Sequence, residues 1–157
     1  MRKRLMALIL LLTMVLPWST GKAEDKLIYI LCRPESYVNV RKTPLMNGEE
    51  TGWLNCGDSV MTDGKEKNGF IHVYGITEYG HGWVYAGYVV DDLPVVEERC
   101  FAVVSGRGGV KARRNIGGRC VEKLDELTEI IIYARSEEWA VTNKGFIRTE
   151  FLDVWYE

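Results

Sequence analysis

Hydrophobic and polar residues alternate along much of the chain, a pattern typical of half-buried β-strands. At Tyr37–Arg41 the alternation places Val38 and Val40 on one face, and residues 110–113 repeat the pattern. Glycine, proline and asparagine separate the apolar runs, as they do in turns and surface loops. Because no long amphipathic helical pattern occurs, the sequence predicts an all-β protein.

Short strands are predicted at close spacing from residue 27 onward. Residues 42–51 are predicted to form a surface loop, since they contain proline, asparagine and glycine. Turns are predicted at Asp63-Gly64 and Asn68-Gly69, and residues 75–82 are predicted to form the tip of a hairpin. The predicted strands are residues 27–31, 37–41, 59–62, 70–74, 83–90, 101–104, 110–113, 129–134, 139–142 and 146–148.

One short sequence pattern occurs twice. Each copy opens with a V-x-(V/A)-R strand, at residues 38–41 and 110–113. Each copy closes with glycine, an aromatic residue, a β-branched residue, three variable positions, an aromatic residue and an aliphatic residue, at 82–89 and 145–152. Such repetition predicts two copies of one small β module. The acidic and proline-containing segment 91–94 is the natural boundary, giving predicted domains at 24–93 and 94–157.

The first 23 residues predict a secretory signal peptide. Residues 1–4 carry three basic side chains, residues 5–16 are apolar except for Thr13, and small residues precede Glu24. An uncleaved membrane anchor is disfavoured, because a spanning helix needs about 20 apolar residues. We therefore expect a secreted or cell-envelope-associated protein with no stable membrane span after cleavage.

The charge of the mature chain is negative overall but positive in one stretch. Cleavage after Ala23 removes four of the 20 basic residues, which leaves 16 basic and 22 acidic residues and a net charge of −6. Nucleic acid is not an expected partner for such an acidic exported chain. Residues 107–119 nevertheless contain five basic residues and no acid, which suggests a stripe for an anionic wall polymer. The alternative is solubilising surface charge that is balanced elsewhere.

The four cysteines bear on stability rather than on metal binding. An even number in an exported chain is compatible with two disulfides, and the simplest pairing is Cys32–Cys56 with Cys100–Cys120. Four cysteines allow three pairings, and small buried thiols are the alternative. Because no C-x-x-C pair occurs, no metal site or other cofactor is predicted.

The repeated pattern resembles the bacterial SH3-like (SH3b) domain. The first copy carries the V-N-V-R strand, a G-D-x-V turn at 57–60 and the closing G-W-V-x-x-x-Y-V of 82–89, while the second has Lys111 in place of the asparagine. The resemblance implies two small SH3-like β-barrels in tandem behind the signal peptide. It also implies extracytoplasmic binding, commonly to peptidoglycan or its cross-bridge peptides and often beside a cell-wall hydrolase domain.

Aromatic and basic side chains are the candidate ligand-binding groups. Aromatic rings offer flat contact area with a polar handle, and guanidinium groups bind carboxylates in a bidentate manner. For the aromatic residues the alternative is core packing, and for the matched pair Arg41 and Arg113 it is a bond inside the fold. The predicted ligand-binding residues are Tyr37, Tyr79, Tyr85, Tyr88, Arg113 and Arg114.

No catalytic residue is predicted. A cysteine hydrolase needs a thiolate beside a positioned imidazole, and neither His72 nor His81 lies in a recognisable signature of that kind. Adjacent acids such as Glu49 and Glu50 do not form the carboxylate pair across a cleft that glycoside cleavage requires. The sequence predicts a non-catalytic binding protein for peptidoglycan or other wall material. The alternative is a module that docks an envelope protein, such as a cell-wall hydrolase.

Overall fold

The structure is a computed structural model that describes residues 25–76 and 80–156. These residues form two antiparallel sheets of seven strands each. The predicted signal peptide lies outside these residues. The first sheet comprises β1 (Lys26–Ile30), β2 (Tyr37–Arg41), β3 (Glu50–Asn55), β4 (Ser59–Lys67), β5 (Phe70–Ile76), β6 (Gly80–Tyr85) and β7 (Val89–Val90). The second comprises β8 (Val95–Val104), β9 (Val110–Arg113), β10 (Cys120–Leu124), β11 (Glu129–Arg135), β12 (Trp139–Thr142), β13 (Gly145–Arg148) and β14 (Leu152–Tyr156).

The two sheets have the same strand order. Neighbouring strands run β3-β2-β6-β5-β4-β1-β7 in the first sheet and β10-β9-β13-β12-β11-β8-β14 in the second. Each strand of the first sheet therefore has its counterpart seven strands later in the chain. This correspondence confirms the prediction of an all-β protein built from two SH3-like barrels.

Each barrel has its own hydrophobic core, supplied by one face of its alternating strands. Val38 and Val40 of β2 are buried in the first barrel, and Val110 and Ala112 of β9 are buried in the second. Among the described residues no helix is long and apolar enough to span a bilayer. At about 60 residues per barrel, each core is near the lower limit for independent folding, so contacts between the barrels matter for stability.

The predicted strand at 83–90 is wrong as a single element. A 3₁₀ turn at Ala86–Tyr88 separates β6 from β7, and a second at Thr149–Phe151 separates β13 from β14. The variable positions of the repeated pattern thus lead into a turn, which redirects the chain so that β7 pairs with β1 and β14 with β8. Alternation alone did not reveal this turn, because the residues on both sides of it are extended.

Other predictions of local structure also differ from the structure. The predicted loop at 42–51 ends where β3 begins, at residue 50, and β3, β10 and β14 were not predicted as strands. Asp63-Gly64 does not end a strand, because β4 continues through an irregularity between Thr62 and Glu66. The turn at Asn68-Gly69 is confirmed: both residues have positive φ (52° and 77°), as a two-residue hairpin connection requires.

The two barrels pack against each other through a third hydrophobic cluster. The first barrel contributes buried Leu31 and Val90, and the second contributes residues of β11 to β13, among them Phe146. The Tyr88 and Phe146 rings meet edge to face with centroids 5.8 Å apart. A backbone hydrogen bond from Ile116 N–H to the Gly87 carbonyl (2.9 Å) also crosses the interface.

Candidate functional site

A cleft of about 950 Å³ lies where the two barrels meet. We call it the inter-barrel cleft. Strands and turns of the first barrel form one wall, and β12, β13 and the loop at residues 114–119 form the other. The side chains that line it include those of Arg33, Tyr37, Asn39, Arg41, Asn68, Phe70, Tyr85, Tyr88, Arg114, Asn115, Arg119 and Phe146.

A row of aromatic rings runs along the inter-barrel cleft. Tyr85 packs edge to face against Phe70 at 5.4 Å and against Tyr88 at 6.1 Å, and Tyr88 in turn contacts Phe146 of the second barrel. Tyr37 adds a more exposed ring, tilted against Trp53 at 6.5 Å. Since rings held in this way lose little freedom when a ligand binds, the row is a suitable contact surface for sugars or peptides.

The inter-barrel cleft is basic although the protein is acidic. Four arginines line it, and none of the lining residues in the described part of the chain is an aspartate or glutamate. Arg41 forms an ion pair with Glu50 at 3.1 Å, and the Arg33 guanidinium lies over the Tyr133 ring at 4.9 Å. Arg114 and Arg119 are exposed and form no ion pair within residues 25–76 and 80–156. Arg33 is likewise exposed and forms no ion pair among the described residues, so three guanidinium groups keep their charge, and those of Arg114 and Arg119 belong to one loop.

The loop that carries Arg114 and Arg119 is held by hydrogen bonds. The Arg114 N–H donates to the Arg119 carbonyl (3.1 Å), which closes the neck of the loop. Arg113 Nη1 donates to the Gly118 carbonyl (2.8 Å), and Arg41 Nη1 makes the equivalent bond to the Gly48 carbonyl (2.8 Å) in the first barrel. The guanidinium of Arg113 thus braces the loop whose ends present the two cleft arginines.

The electrostatic setting of Tyr88 favours a neutral phenol. Burial raises the pKa of Tyr88, while the nearby positive charge of Arg114 acts in the opposite direction. The net effect is a raised pKa, so the hydroxyl remains protonated at neutral pH. Tyr88 can therefore both donate and accept a hydrogen bond beside the arginines.

The structure brings together four of the six predicted ligand-binding residues. Tyr37, Tyr85, Tyr88 and Arg114 line the inter-barrel cleft, whereas Arg113 bonds to its own loop and is not among the lining residues. Tyr79 lies outside the described residues. Sequence reasoning missed Arg119 as a site residue, although it belongs to the basic stretch 107–119 that had been noticed.

The cysteines are free thiols, so neither predicted disulfide is present in the structure. Cys100 is buried in the second barrel, whereas Cys120 is exposed on β10 and donates to the Glu122 carbonyl. Cys32 and Cys56 are neighbours. A hydrogen bond between their thiols is the main cause that lowers the pKa of Cys56 to about 7 and raises that of Cys32.

The two histidines lie outside the inter-barrel cleft. His72 Nδ1 is 3.1 Å from Asp63 Oδ1 without forming a hydrogen bond to it, and the His72 ring packs against Trp83 and His81. A hydrogen bond from Lys65 is the main cause that lowers the pKa of Asp63 to about 2. Within the described ranges, no group of three or more His, Cys, Asp or Glu side chains is arranged to hold a metal ion.

Comparisons with known proteins address the first barrel. The family model of the bacterial SH3 domain matches residues 36–90, which confirms the resemblance for that part of the chain. Two similar solved structures are NlpC1 from Trichomonas vaginalis (17% identity, TM-score 0.36, 90% of this chain and 50% of that chain) and NlpC2 from the same organism (16%, 0.36, 83% and 48%). The chain spans about half the length of these proteins. A search of curated proteins found no match.

Proposed function

We propose that this protein is a secreted or cell-envelope-associated, non-catalytic binding protein that attaches to peptidoglycan or other cell-wall material through the inter-barrel cleft. The family match supports this, because bacterial SH3 domains are commonly binding modules of cell-wall-associated proteins. The observation that carries the proposal is an aromatic row beside two exposed arginines, in a cleft that no acid lines among the residues the structure describes.

Binding without catalysis agrees with the chemistry of the inter-barrel cleft. Cys32 lies in its lining, but no histidine or carboxylate among the described lining residues is placed there to act as its base. General acid–base catalysis requires such a group within hydrogen-bond reach of the reacting atom. The lining groups are instead phenols, amides and guanidinium groups, which recognise ligands by contact and hydrogen bonding.

Retention on purified peptidoglycan tests the proposal. We expect the chain from residue 24 onward to be retained at moderate salt. The variant Tyr37→Ala should bind at least about fivefold more weakly, because it removes an exposed aromatic contact (61% exposed) without opening a core. Trp155→Ala is the matched control, since Trp155 is an exposed aromatic residue (41%) outside the cleft lining. Failure of the unaltered protein to be retained would argue against the proposal.

Docking of an envelope protein is a second candidate function, and one specific observation favours it. Ile131, Phe101 and Trp155 are cross-strand neighbours on β11, β8 and β14, and the Phe101 and Trp155 rings stack at 6.3 Å. Trp155 is exposed and Phe101 is half-buried, and aromatic residues are enriched in protein interfaces. Cross-linking in the producing cell followed by mass spectrometry tests this function. It predicts cross-links from β14 to a partner such as a cell-wall hydrolase, and Trp155→Ala should reduce them.

A further inference from the structure

The two walls of the inter-barrel cleft supply different chemistry. The first barrel provides most of the aromatic row, including Tyr85 and Tyr88, and the second provides Arg114 and Arg119. The family match covers residues 36–90, so Arg114 and Arg119 lie in the barrel that the match does not reach. A ligand that uses both walls must therefore carry a negative charge next to a body that packs on rings.

Arg114 and Arg119 are backbone neighbours across the neck of their loop. The hydrogen bond between the Arg114 N–H and the Arg119 carbonyl joins their backbones at the neck of the loop. Arg113 braces the same loop through Gly118. Because no acid lines the cleft among the described residues, a carboxylate placed between the two guanidinium groups meets two uncompensated charges.

We propose that the inter-barrel cleft binds a peptide through a free carboxylate, which Arg114 and Arg119 hold while the body of the peptide lies along the aromatic row. The inference deepens the proposed function and rests on it, since the peptide is then one that the cell wall supplies. The second barrel is accordingly part of the binding site rather than a spacer.

Amide side chains in the inter-barrel cleft can pair with the backbone of a peptide. Asn39 Nδ2 donates to Glu50 Oε1 (2.6 Å), and Asn68 Nδ2 donates to the Pro44 carbonyl (3.1 Å). Within the described part of the chain their Oδ1 atoms accept no such bond from a side chain or from a backbone N–H. These oxygens are therefore available as acceptors for the N–H groups of a bound peptide.

The distribution of charge favours a single carboxylate over a polyphosphate chain. A repeating phosphate polymer gains affinity from a long row of uncompensated cations. Here Arg41 is paired with Glu50, and Arg33 keeps its charge but is held over the Tyr133 ring, so the only two unpaired lining arginines of the described residues that share a loop are Arg114 and Arg119. A cleft of about 950 Å³ also matches a short peptide rather than an extended polymer.

The experiment compares two forms of one peptide on the intact chain from residue 24 onward. The probe is diacetyl-Lys-D-Ala-D-Ala, whose only carboxylate is C-terminal, together with its C-terminal amide, and calorimetry measures the affinities. We expect the free acid to bind about tenfold more tightly than the amide, because the amide loses the charge-assisted hydrogen bonds to arginine. Equal affinities, or no binding of the free acid at millimolar concentration, would overturn the inference.

Arginine variants locate the effect. Arg114→Gln and Arg119→Gln should each reduce the preference for the free acid to less than about threefold. Arg107→Gln is the matched control, because Arg107 is exposed on the same barrel but does not line the cleft. Unchanged preference in the first two variants, or a loss in the control, contradicts the assignment. A glycerol-phosphate oligomer is also tested as a competitor of the free acid. If the oligomer displaces the bound peptide at a lower concentration than the free acid does, the carboxylate inference is wrong and a wall polymer is the ligand.

The outcomes separate this inference from the proposed function. If the protein is retained on peptidoglycan but does not distinguish acid from amide, wall binding stands and carboxylate recognition fails. If it binds the free acid preferentially but is not retained on peptidoglycan, carboxylate recognition stands and attachment to the wall fails.

Discussion

Gly87 shows how one residue position depends on the neighbouring barrel. A Cβ atom at this position would lie 2.2 Å from Asn115 Nδ2 and 2.7 Å from a ring carbon of Tyr85. In the second copy of the repeated pattern, the equivalent position is the exposed residue Glu150. The backbone of Gly87 is not in the left-handed region, so glycine is required here by the close approach of the second barrel and not by a turn.

The substitution Gly87→Ala should therefore lower the free energy of unfolding by about 1–3 kcal/mol, the usual cost of forcing an extra methyl group into a packed contact. Urea denaturation measures the change. Glu150→Ala, the equivalent substitution in the second copy, should change stability by less than about 0.5 kcal/mol because the site is exposed. Equal effects of the two substitutions would show that close packing of the second barrel against Gly87 does not determine stability.

At the scale of elements, the repeated strand ends in an arginine that closes the following loop. Arg41 lies opposite Trp83 and Arg113 lies opposite Phe146, so the two side chains start from equivalent register positions. Each donates to a glycine carbonyl in its loop at 2.8 Å. The presence of the arginine in both copies is thus explained by the fold. In the second barrel the same bond also supports the loop of Arg114.

Replacing Arg113 with glutamine should reduce stability by about 1.5–3 kcal/mol, because a charged donor to the Gly118 carbonyl is lost. It should also weaken retention on peptidoglycan, since the loop that presents Arg114 and Arg119 is no longer braced. Arg135→Gln is the control: it removes a charged hydrogen bond, the one to Glu97, from the same barrel outside the cleft lining, and it leaves this loop intact. The interpretation would be wrong if both variants reduced retention equally at matched stability.

The connections after β1 and β3 place two thiols side by side, with consequences for their reactivity. The pKa of Cys56 is lowered to about 7, against an ordinary value of 9.0, so its thiolate becomes abundant as the pH rises through 7. The pKa of buried Cys32 is raised, so Cys32 remains protonated in this range. Alkylation by iodoacetamide near neutral pH should select Cys56 over Cys32 and Cys100.

Cys32→Ala should return the pKa of Cys56 toward its ordinary value and slow the alkylation of Cys56 at pH 7 by about fivefold. A higher pKa makes each thiolate more nucleophilic, but the larger effect is the fall in the fraction of Cys56 that is thiolate. Mass spectrometry of the labelled peptides follows each cysteine separately. Cys120 serves as an internal control, since it is exposed and lies on the other barrel. An unchanged rate at Cys56 in the variant would exclude the thiol–thiol hydrogen bond as the cause.

On the scale of the whole molecule, the barrels are coupled by a buried interface beside the cleft. Leu31, Val90, Trp139 and Phe146 belong to one hydrophobic cluster that includes residues of both sheets. Because each barrel is close to the lower size limit for a self-sufficient core, this cluster should stabilise both. We therefore expect a single cooperative unfolding transition for the intact chain.

Phe146→Ala should lower the free energy of unfolding by about 3–5 kcal/mol, since it leaves a cavity at the interface. It should also abolish retention on peptidoglycan, because the aromatic row loses its contact with the second barrel. Phe151→Ala, on the same barrel but 37% exposed and outside the cleft, should cost less and leave retention unchanged. Urea denaturation and the retention assay together check both parts.

Much of the fold was accessible from local patterns, but the turns between extended segments were not. Val38 and Val40 predicted a buried face correctly, because alternation is a property of neighbouring residues in a strand. The turn at Ala86–Tyr88 escaped prediction, since its apolar neighbours continue the strand pattern on both sides. β3 was partly assigned to a loop because Glu50 follows a segment rich in turn-forming residues.

The candidate site was only partly accessible for a different reason. Aromatic residues of the first copy and the basic stretch of the second were both visible in the sequence, yet nothing in their spacing indicated that they face each other. Arg119 was passed over because its importance depends on the hydrogen bond that brings it next to Arg114. Arg113 was predicted to bind the ligand, but the sequence does not show which way its side chain points. In the structure the side chain donates to the Gly118 carbonyl of its own loop.

The sequence by itself determined that the chain forms two related β modules, because strand alternation and internal repetition are local and survive divergence between the copies. Only the tertiary structure decided that the modules form a joint cleft. That cleft depends on contacts between distant residues, such as Gly87 with Asn115 and Tyr88 with Phe146. No local pattern encodes such contacts, since the relative placement of two barrels follows from the shape and packing of whole surfaces.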